Sequence, residues 1–346
     1  FNLDVFQYEP GTPVSVYGSL PYLMAHGVES AAAVLWLNAA DTYVDVWEGE
    51  AMAMADEGIG SAWLSEGGGL ELLMLGGPTS RAVLRQLAFT TGRPPMPPLW
   101  SLGYHQSHWN IKSQYHASSL SHNFDRHGVP LDGLWLDIEH TSGKRYFTWD
   151  EKRFPSPSDL DAQMRPHGRR LIGIADPHLK ADAKYEIHST ADANGWLVRT
   201  RKNETFVGKC WPGESSYLDL FQPAARSFWV SLYSDGPGSS GSSKKGKGVA
   251  HTLGWPKWLH AWNDMNEPSV FDSEELTLPR DVLHKVTLPS EEGLSPSAAA
   301  VEMDVEHRIV HNVYGALQAA ATHEGLLKRS DNAERPFLLS RSFFVG

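Results

Sequence analysis

The sequence contains one cysteine in 346 residues, Cys210, so no disulfide bond can form within the chain. Long apolar runs are lacking as well: no stretch of about 18 apolar residues occurs, and we predict no membrane-spanning helix. Positive charge is scarce, because 30 Lys and Arg residues face 41 Asp and Glu residues and leave a net charge of −11. Nucleic-acid binding normally needs a basic face, so the composition argues against a nucleic-acid partner.

Motifs that hold cofactors are also missing. There is no P-loop motif and no glycine-rich turn that joins a predicted strand to a helix, so we expect no bound nucleotide. No His-x-His or His-Glu-x-x-His spacing occurs, and we expect no cofactor of any kind. The chain starts at Phe1 without an initiator Met or a signal-peptide pattern, which predicts that the natural N-terminus lies upstream.

The first quarter of the chain is rich in short strand patterns. Apolar or alternating runs at residues 14–17, 33–37, 42–46 and 70–75 are separated by Gly, Pro and Asn turns. Residues 1–92 are therefore predicted to be part of an N-terminal β-sandwich domain, which ends in a helix at 79–91. The proline-rich stretch 92–98 can continue neither a helix nor a central strand, so we place the domain boundary there.

Residues 93–346 alternate between strand and helix patterns, which is typical of a parallel sheet or barrel. Five strands are predicted, and each is followed by polar residues: 99–104, 131–136, 170–175, 259–263 and 335–339. Helices are predicted at 113–127, 158–166 and 302–328. An α/β fold, a (β/α)8 TIM-type barrel truncated after about five strands, fits this pattern better than an open doubly wound sheet.

Two insertions interrupt this predicted barrel, at residues 179–257 and 271–300. The first contains a tract rich in Gly, Ser and Lys within residues 236–254, which is typical of a flexible, solvated segment. The second is a polar stretch with three prolines, and we predict a loop there.

The most informative stretch surrounds Asp264. An apolar run ends at this carboxylate between Trp262 and Phe271, which is how a buried strand looks when it ends at a cleft. A simpler interpretation is that Asp264 caps a helix beginning near Glu267 and Pro268. Further polar or aromatic residues follow the other predicted strands: Tyr104, His105, Trp109, Asp137, Asp176, His178 and Arg341.

Three strand-end carboxylates with aromatic residues and no phosphate loop fit glycoside chemistry. One carboxylate attacks the anomeric carbon and a second group protonates the leaving oxygen. Three alternatives stay open: a structural ion-pair network of Asp137, Asp176 and Arg341, a non-catalytic sugar-binding protein, or a metal-dependent barrel hydrolase. The ligands of that last alternative would be Asp137, Glu139, His140, Asp176 and His178.

Residues 262–268, Trp-Asn-Asp-Met-Asn-Glu-Pro, resemble the nucleophile motif of glycoside hydrolase family 31, the retaining α-glucosidases. Residues 1–8, 135–140 and 144–150 strengthen the resemblance. It implies that Asp264 is the nucleophile and that Asp137 binds hydroxyls of the terminal glucose. It further implies a pocket wall and its supports: Trp109, Ile138, Trp211 and Phe271 around the sugar, Asp4 near the leaving group, and Arg341 between substrate and carboxylates. Asp176 and His178 are expected at the mouth of the barrel.

The resemblance also implies an aspartate in a Gly-Asp-Asn motif as the general acid/base, and the sequence contains no such motif. We therefore expect this chain alone to be inactive. Within the family the likeness is greatest to members that process N-glycans in the endoplasmic reticulum. It implies an α-glucoside or glucosylated N-glycan as substrate, a regulatory β-subunit as partner and the endoplasmic reticulum lumen as compartment.

Overall fold

The structure is a computed structural model that describes residues 2–12, 14–48, 59–234, 254–288 and 301–345. The predicted Gly-, Ser- and Lys-rich tract lies outside the described residues, except for Gly254. No helix among the described residues is both long and apolar enough to cross a membrane.

The N-terminal part forms two small antiparallel sheets. Strands β1 (Tyr22–His26), β2 (Ala31–Trp36) and β5 (Leu72–Gly76) make one sheet, and β3 (Thr42–Glu48) pairs with β4 (Ile59–Ser65). Alternate residues of β2 are buried against β5 and helix α1 (Ser80–Thr91), as the period of two in its sequence requires. The antiparallel prediction is confirmed, although 14–17 is not a strand and β1 and β4 were not predicted.

The remaining strands and helices follow along the rest of the chain. The strands are β6 (His105–Gln106), β7 (Gly133–Leu136), β8 (Arg170–Ile174), β9 (His178–Lys180), β10 (Gly208–Cys210), β11 (Gly213–Tyr217), β12 (Leu259–Asn263), β13 (Leu283–Leu288), β14 (Val301–Glu306) and β15 (Leu338–Ser340). The helices are α2 (Gln114–Arg126), α3 (Pro157–Met164), α4 (Glu186–Ala193), α5 (Pro223–Ser234), α6 (His307–Val310) and α7 (Tyr314–Lys328).

Five of these strands form one parallel sheet in the order β15, β12, β8, β7, β6. Strands β7 and β8 are almost wholly buried, because helices cover one face and side chains fill the other. The prediction of a barrel truncated after about five strands is confirmed.

The first predicted barrel strand, 99–104, is wrong. Residues Leu99–Leu102 form a 3-10 turn, and the strand starts at His105. In this turn the Trp100 ring lies 4.6 Å from that of His260 and 4.9 Å from that of Phe337. These contacts pack the turn against the amino ends of β12 and β15.

The segment after Asp264 also differs from its prediction. Part of the predicted loop 271–300 is strand β13, which pairs with β14, and the predicted helix 302–328 begins only at α6 and α7. Alternating residues in β14 follow the period of two of a strand, and His307 donates its backbone N–H to the Val282 carbonyl at 2.9 Å, where the hairpin ends. Residues 289–300 lie outside the described part.

The two outer strands of the parallel sheet generate the first prediction. Within the described residues, β15 is bonded only to β12 and β6 only to β7, so each has an open edge. Leu102 is 71% exposed and Phe343 45% exposed. Because open edges and exposed apolar groups promote aggregation, the 346-residue chain expressed alone should aggregate and show no cooperative thermal transition by calorimetry. A soluble monomer with a sharp transition would contradict this.

Candidate active site

Four of the candidate residues follow neighbouring parallel strands. Asp137 comes directly after β7, Asp176 lies two residues after the end of β8, Asp264 directly follows β12, and Arg341 directly follows β15. Since the carboxyl ends of parallel strands lie at one edge of the sheet, the fold brings these side chains to one cleft. The order along the sheet is Arg341, Asp264, Asp176, Asp137.

Arg341 is the centre of the charge arrangement. Its guanidinium makes two hydrogen bonds of 2.7 Å to the carboxylate of Glu267. Its Nε also lies 3.2 Å from Asp264 Oδ1, and its Nη2 lies 3.2 Å from Asp4 Oδ1. Burial alone would lower the pKa of Arg341, but these three carboxylates raise it above its ordinary value. The guanidinium is therefore a permanent cation shared by three acids.

Glu267 is a site residue that the sequence reasoning missed as a functional group. Its side chain has no solvent exposure, and burial raises its pKa to about 7 against the pull of Arg341. The residue was interpreted only as part of a helix start. Its position three residues after Asp264, beside a proline, was the only local signal for it.

Asp264 itself is mostly buried, with 15% of its side chain exposed. Burial raises the pKa of its carboxyl, and Arg341 counteracts that shift by favouring the ionised form. Met265, which follows it, adopts a positive φ of 56°, so the chain turns sharply at the end of β12. No helix occurs between Asp264 and Val282, all of which the structure describes, so the helix-cap interpretation of Asp264 is wrong.

Asp137 is half-buried at the end of β7. Its Oδ1 accepts a hydrogen bond of 2.6 Å from the backbone N–H of Ile138 and begins a short 3-10 turn. Burial, and then the charges of Glu139 and Asp264, raise the pKa of Asp137 to about 6. Its other oxygen is free to accept a hydrogen bond from a ligand. Ile138 lies in the core, 5% exposed.

Asp176 and His178 lie below the cleft and have no solvent exposure. The Tyr146 hydroxyl donates to Asp176 and lies 2.9 Å from His178 Nε2. Burial, and then the charge of Asp264, raise the pKa of Asp176, while burial lowers the pKa of His178 to about 3. His178 is therefore uncharged at neutral pH, whereas burial shifts Asp176 toward its protonated form, and the two side chains form the floor beneath Asp264.

Four aromatic rings line one side of the cleft. Trp211 lies 4.9 Å from Phe271, 6.3 Å from Trp109 and 6.4 Å from Phe6, measured between ring centroids. Lys144 Nζ lies 5.7 Å from the Trp211 ring. Phe6 was not among the predicted site residues, because nothing in its local sequence indicates that the N-terminal segment crosses to the barrel.

Asp4 also reaches the cleft from the N-terminal segment. It accepts a hydrogen bond of 2.6 Å from the Ser269 hydroxyl and contacts Arg341, so it is buried and fixed. The proposed metal ligands do not converge: His140 Nδ1 bonds to the Asp137 carbonyl at 2.7 Å, and burial lowers the pKa of His140 to about 4. Among the described residues, no group of three or more His, Cys, Asp or Glu side chains is arranged to hold a metal ion.

Two family models match this chain. Residues 94–346 match the glycosyl hydrolases family 31 TIM-barrel domain, and residues 1–45 match the glycosyl hydrolase 31 N-terminal galactose mutarotase-like domain. The probable glucan 1,3-alpha-glucosidase of Oryza sativa subsp. japonica is 39% identical over 350 residues, and neutral alpha-glucosidase AB of Mus musculus is 40% identical over 359 residues. Each match covers 100% of this chain but only 35% of the relative, so the chain spans about a third of their length.

Solved structures agree with the family models. A crystal structure of the glucosidase II alpha subunit with alpha3-Glc2 bound is similar at a TM-score of 0.83 and 36% identity, covering 100% of this chain and 35% of that chain. The family 31 alpha-glucosidase from Bacteroides thetaiotaomicron is similar at a TM-score of 0.71 and 27% identity, covering 95% of this chain and 47% of that chain.

The Arg341–Glu267 pair generates the second prediction. Replacing Arg341 with Gln leaves the buried acids Glu267, Asp264 and Asp4 without their shared cation, so the free energy of unfolding should fall by about 3 kcal/mol. The measurement is denaturant unfolding of the protein extended to the length of its relatives, followed by Trp fluorescence. The matched control is Lys328→Gln, which breaks an exposed helix pair with Glu324 and should cost less than about 0.5 kcal/mol. Equal effects of the two variants would contradict the assignment.

Proposed function

We propose that this chain, which belongs to glycosyl hydrolase family 31, is part of a retaining, exo-acting α-glucosidase that removes terminal α-linked glucose. The observation that carries the proposal is the contact of Arg341 with Asp264 at the end of β12. It supports an ionised, oriented carboxylate in a cleft that contains several further acids. Such a carboxylate suits attack on an anomeric carbon and stabilisation of an oxocarbenium-like transition state.

In the proposed mechanism, Asp264 attacks the anomeric carbon of the terminal glucose and forms a covalent glycosyl ester, while the bond from that carbon to the glycosidic oxygen breaks and the general acid protonates the leaving oxygen. Asp137 accepts hydrogen bonds from the sugar hydroxyls with its free oxygen. The general acid/base belongs to a Gly-Asp-Asn motif in the family resemblance, and the sequence does not contain that motif. Water then hydrolyses the ester, so the anomeric configuration is retained.

The aromatic side of the cleft is proposed to bind the sugars that flank the cleaved bond. Trp109, Trp211 and Phe271 expose apolar ring faces, and Phe6 extends this surface from the N-terminal segment. Sugar rings stack on such faces through their C–H groups. We place Ile138, Asp176 and His178 behind the first layer of contacts, where they shape the pocket, and Asp4 on the leaving-group side.

We further propose that the natural substrate is a glucosylated N-glycan, that a regulatory β-subunit binds the enzyme and that it works in the endoplasmic reticulum lumen. Support comes from a related solved complex, described as endoplasmic-reticulum glucosidase II with its catalytic subunit and the binding domain of its regulatory subunit, which is 36% identical to this chain. We also propose a domain boundary between residues 92 and 93, with barrel insertions at 179–257 and 271–300.

The third prediction tests the nucleophile. In the protein extended to the length of its relatives, Asp264→Asn should lower turnover of an aryl α-glucoside by roughly 10⁴-fold or more, since an amide cannot form the ester. Asp281→Asn, which changes an exposed carboxylate paired with Arg201, is the matched control and should retain full turnover. A mechanism-based glucosyl inactivator should label the peptide that contains Asp264. Labelling of Asp137 instead would overturn the assignment.

The fourth prediction concerns pH. Because the pKa of Asp137 is raised to about 6, its carboxylate is present above that pH and takes up a proton below it. Affinity for a neutral glucose analogue, measured by calorimetry between pH 5 and 8, should therefore fall as the pH drops through about 6. Asp137→Asn should bind more weakly and lose this step. An unchanged pH profile in that variant would assign the step to another group.

A further inference from the structure

Outside the candidate active site, six side chains form a continuous hydrogen-bonded path that we call the histidine chain. Its members, in order, are Asp219, His284, His307, Thr277, His311 and Asp41. The three rings have no solvent exposure, and Asp219 and Thr277 are 1% and 2% exposed. Burying so many polar groups is costly unless nearly every hydrogen bond in the path has its proton. The number of protons that the path requires can therefore be counted.

The histidine chain connects separate parts of the fold. Asp41 belongs to the turn between β2 and β3, whereas Asp219 follows β11 and His284 lies on β13. At its centre, the Thr277 hydroxyl lies 2.9 Å from the carbonyl oxygen of Pro268 and donates to it. Pro268 directly follows Glu267, the partner of Arg341. The histidine chain therefore contacts the turn that contains Asp264 and Glu267.

The histidine chain makes six hydrogen-bonding contacts, so six protons are needed to satisfy all of them. The strong ones are His284 Nδ1 to Asp219 at 2.9 Å, His284 Nε2 to His307 Nδ1 at 2.9 Å, and His311 Nδ1 to Asp41 at 2.6 Å. Thr277 Oγ1 lies 3.4 Å from His307 Nε2, 3.3 Å from His311 Nε2 and 2.9 Å from the Pro268 carbonyl. Three neutral rings and one hydroxyl supply only four protons.

The positions of the acceptors decide where the two further protons lie. A carbonyl can only accept, so Thr277 gives its single proton to Pro268 and accepts from both neighbouring rings. His311 must then carry N–H groups toward both Thr277 and Asp41. His307 carries its proton at Nε2, which leaves its Nδ1 as an acceptor. His284 must therefore donate to His307 and also to Asp219.

We propose that the histidine chain is a charge-balanced positioning network for the turn after the nucleophile. In it, His284 and His311 are imidazolium ions paired with Asp219 and Asp41, and His307 between them is neutral. Thr277 accepts hydrogen bonds from both neighbouring rings and donates to the Pro268 carbonyl, so the position of that carbonyl depends on both rings. All six contacts are then satisfied, and each added positive charge lies against a carboxylate.

Surrounding charges agree with this arrangement. Burial, followed by the charges of His311 and His284, keeps the pKa of His307 well below its ordinary value. Burial would raise the pKa of Asp41, but the hydrogen bond and charge of His311 lower it overall, and Arg280 adds to this. Arg280 is itself paired with Glu275 and Glu66. On the other side, Tyr314 packs 6.2 Å from His284, and Asp219 also accepts from the Lys285 backbone at 2.8 Å.

The consequence for catalysis rests on the proposed function. The network is complete only while both end rings carry two protons, and it loses a contact when a substitution removes one of its donors or acceptors. The turn after Asp264 is then less firmly held. The value of kcat should therefore depend on residues of the histidine chain, although none of them is placed against the substrate.

The protonation pattern can be observed directly, without any turnover. Neutron diffraction from a crystal of the full-length protein at pH 6.5 should show deuterium on both ring nitrogens of His284 and His311, and only on Nε2 of His307. A single deuterium on either end ring, or deuterium on Nδ1 of His307, would overturn the proposal. This outcome is independent of activity, so it stands even if the proposed α-glucosidase function fails.

The positioning role is tested by kinetics of the full-length enzyme, which form the fifth prediction. Asp41→Asn removes the carboxylate that pairs with His311, so kcat should fall by roughly tenfold while KM changes little, because a displaced nucleophile slows chemistry more than binding. Asp45→Asn, on the exposed face of β3, is the matched control and should leave kcat and KM unchanged. Equal kcat values in the two variants would overturn the role.

Thr277 gives a second, conservative comparison. Thr277→Val keeps the shape but removes the proton, and kcat should fall by roughly tenfold while KM changes little, because a displaced nucleophile slows chemistry more than binding. Thr277→Ser keeps the hydroxyl and should restore kcat to within about twofold. A loss of the same size in both variants would show a packing role and contradict the proposal.

Discussion

One guanidinium holds the candidate active site together. Arg341 reaches Asp264 and Glu267 in the turn after β12 and Asp4 in the N-terminal segment, and its own backbone N–H bonds to the carbonyl of Asn263 at 2.9 Å. A lysine could not replace it, since a single ammonium lacks the planar fork that binds Glu267 through two nitrogens. The orientation of Asp264 therefore depends on a residue 77 positions later in the chain, on the neighbouring strand.

The same contacts join the N-terminal part to the barrel. Asp4 is held by Arg341 and Ser269, and Asn2 donates to the carbonyl of Asn312 at 2.9 Å. At a second point, Asp41 is held by His311. Both connections end on the segments that surround the turn after β12. The N-terminal part thus contributes to the geometry of the nucleophile and also supplies Phe6 to the aromatic side of the cleft.

The sequence alone predicts those parts of the fold that local residue patterns determine. The apolar run before Asp264 and the alternation of strands and helices predicted the parallel sheet and the edge at which its polar residues meet. The sequence alone does not predict those parts of the structure that depend on contacts between distant residues. Trp100, in the 3-10 turn at Leu99–Leu102, packs against His260 and Phe337, which lie more than 150 residues away. Phe6 and Glu267 have roles only through partners that fold beside them, and no local pattern carries that information.

The hairpin of β13 and β14 shows a different limit. Charged residues alternate along β14 but not along β13, and β14 runs directly into α6, so the sequence predicts one long helix over 302–328 and a loop before it. Without this hairpin the histidine chain cannot be recognised in the sequence, because His284 lies on β13 and His307 directly follows β14. Two of the three rings of the histidine chain are thus positioned by a hairpin that only tertiary pairing defines.

The charge balance of the cleft explains which chemistry it favours. In the floor of the cleft, His178 is neutral, and burial raises the pKa of Asp176 and so disfavours its charged form. Above it, Asp4, Asp264 and Glu267 share one arginine, and Asp137 adds a further carboxylate as the pH rises above about 6. The excess of negative charge repels anionic substrates such as phosphate esters. It stabilises positive charge that develops at a carbon between these acids, which is the charge of an oxocarbenium-like transition state.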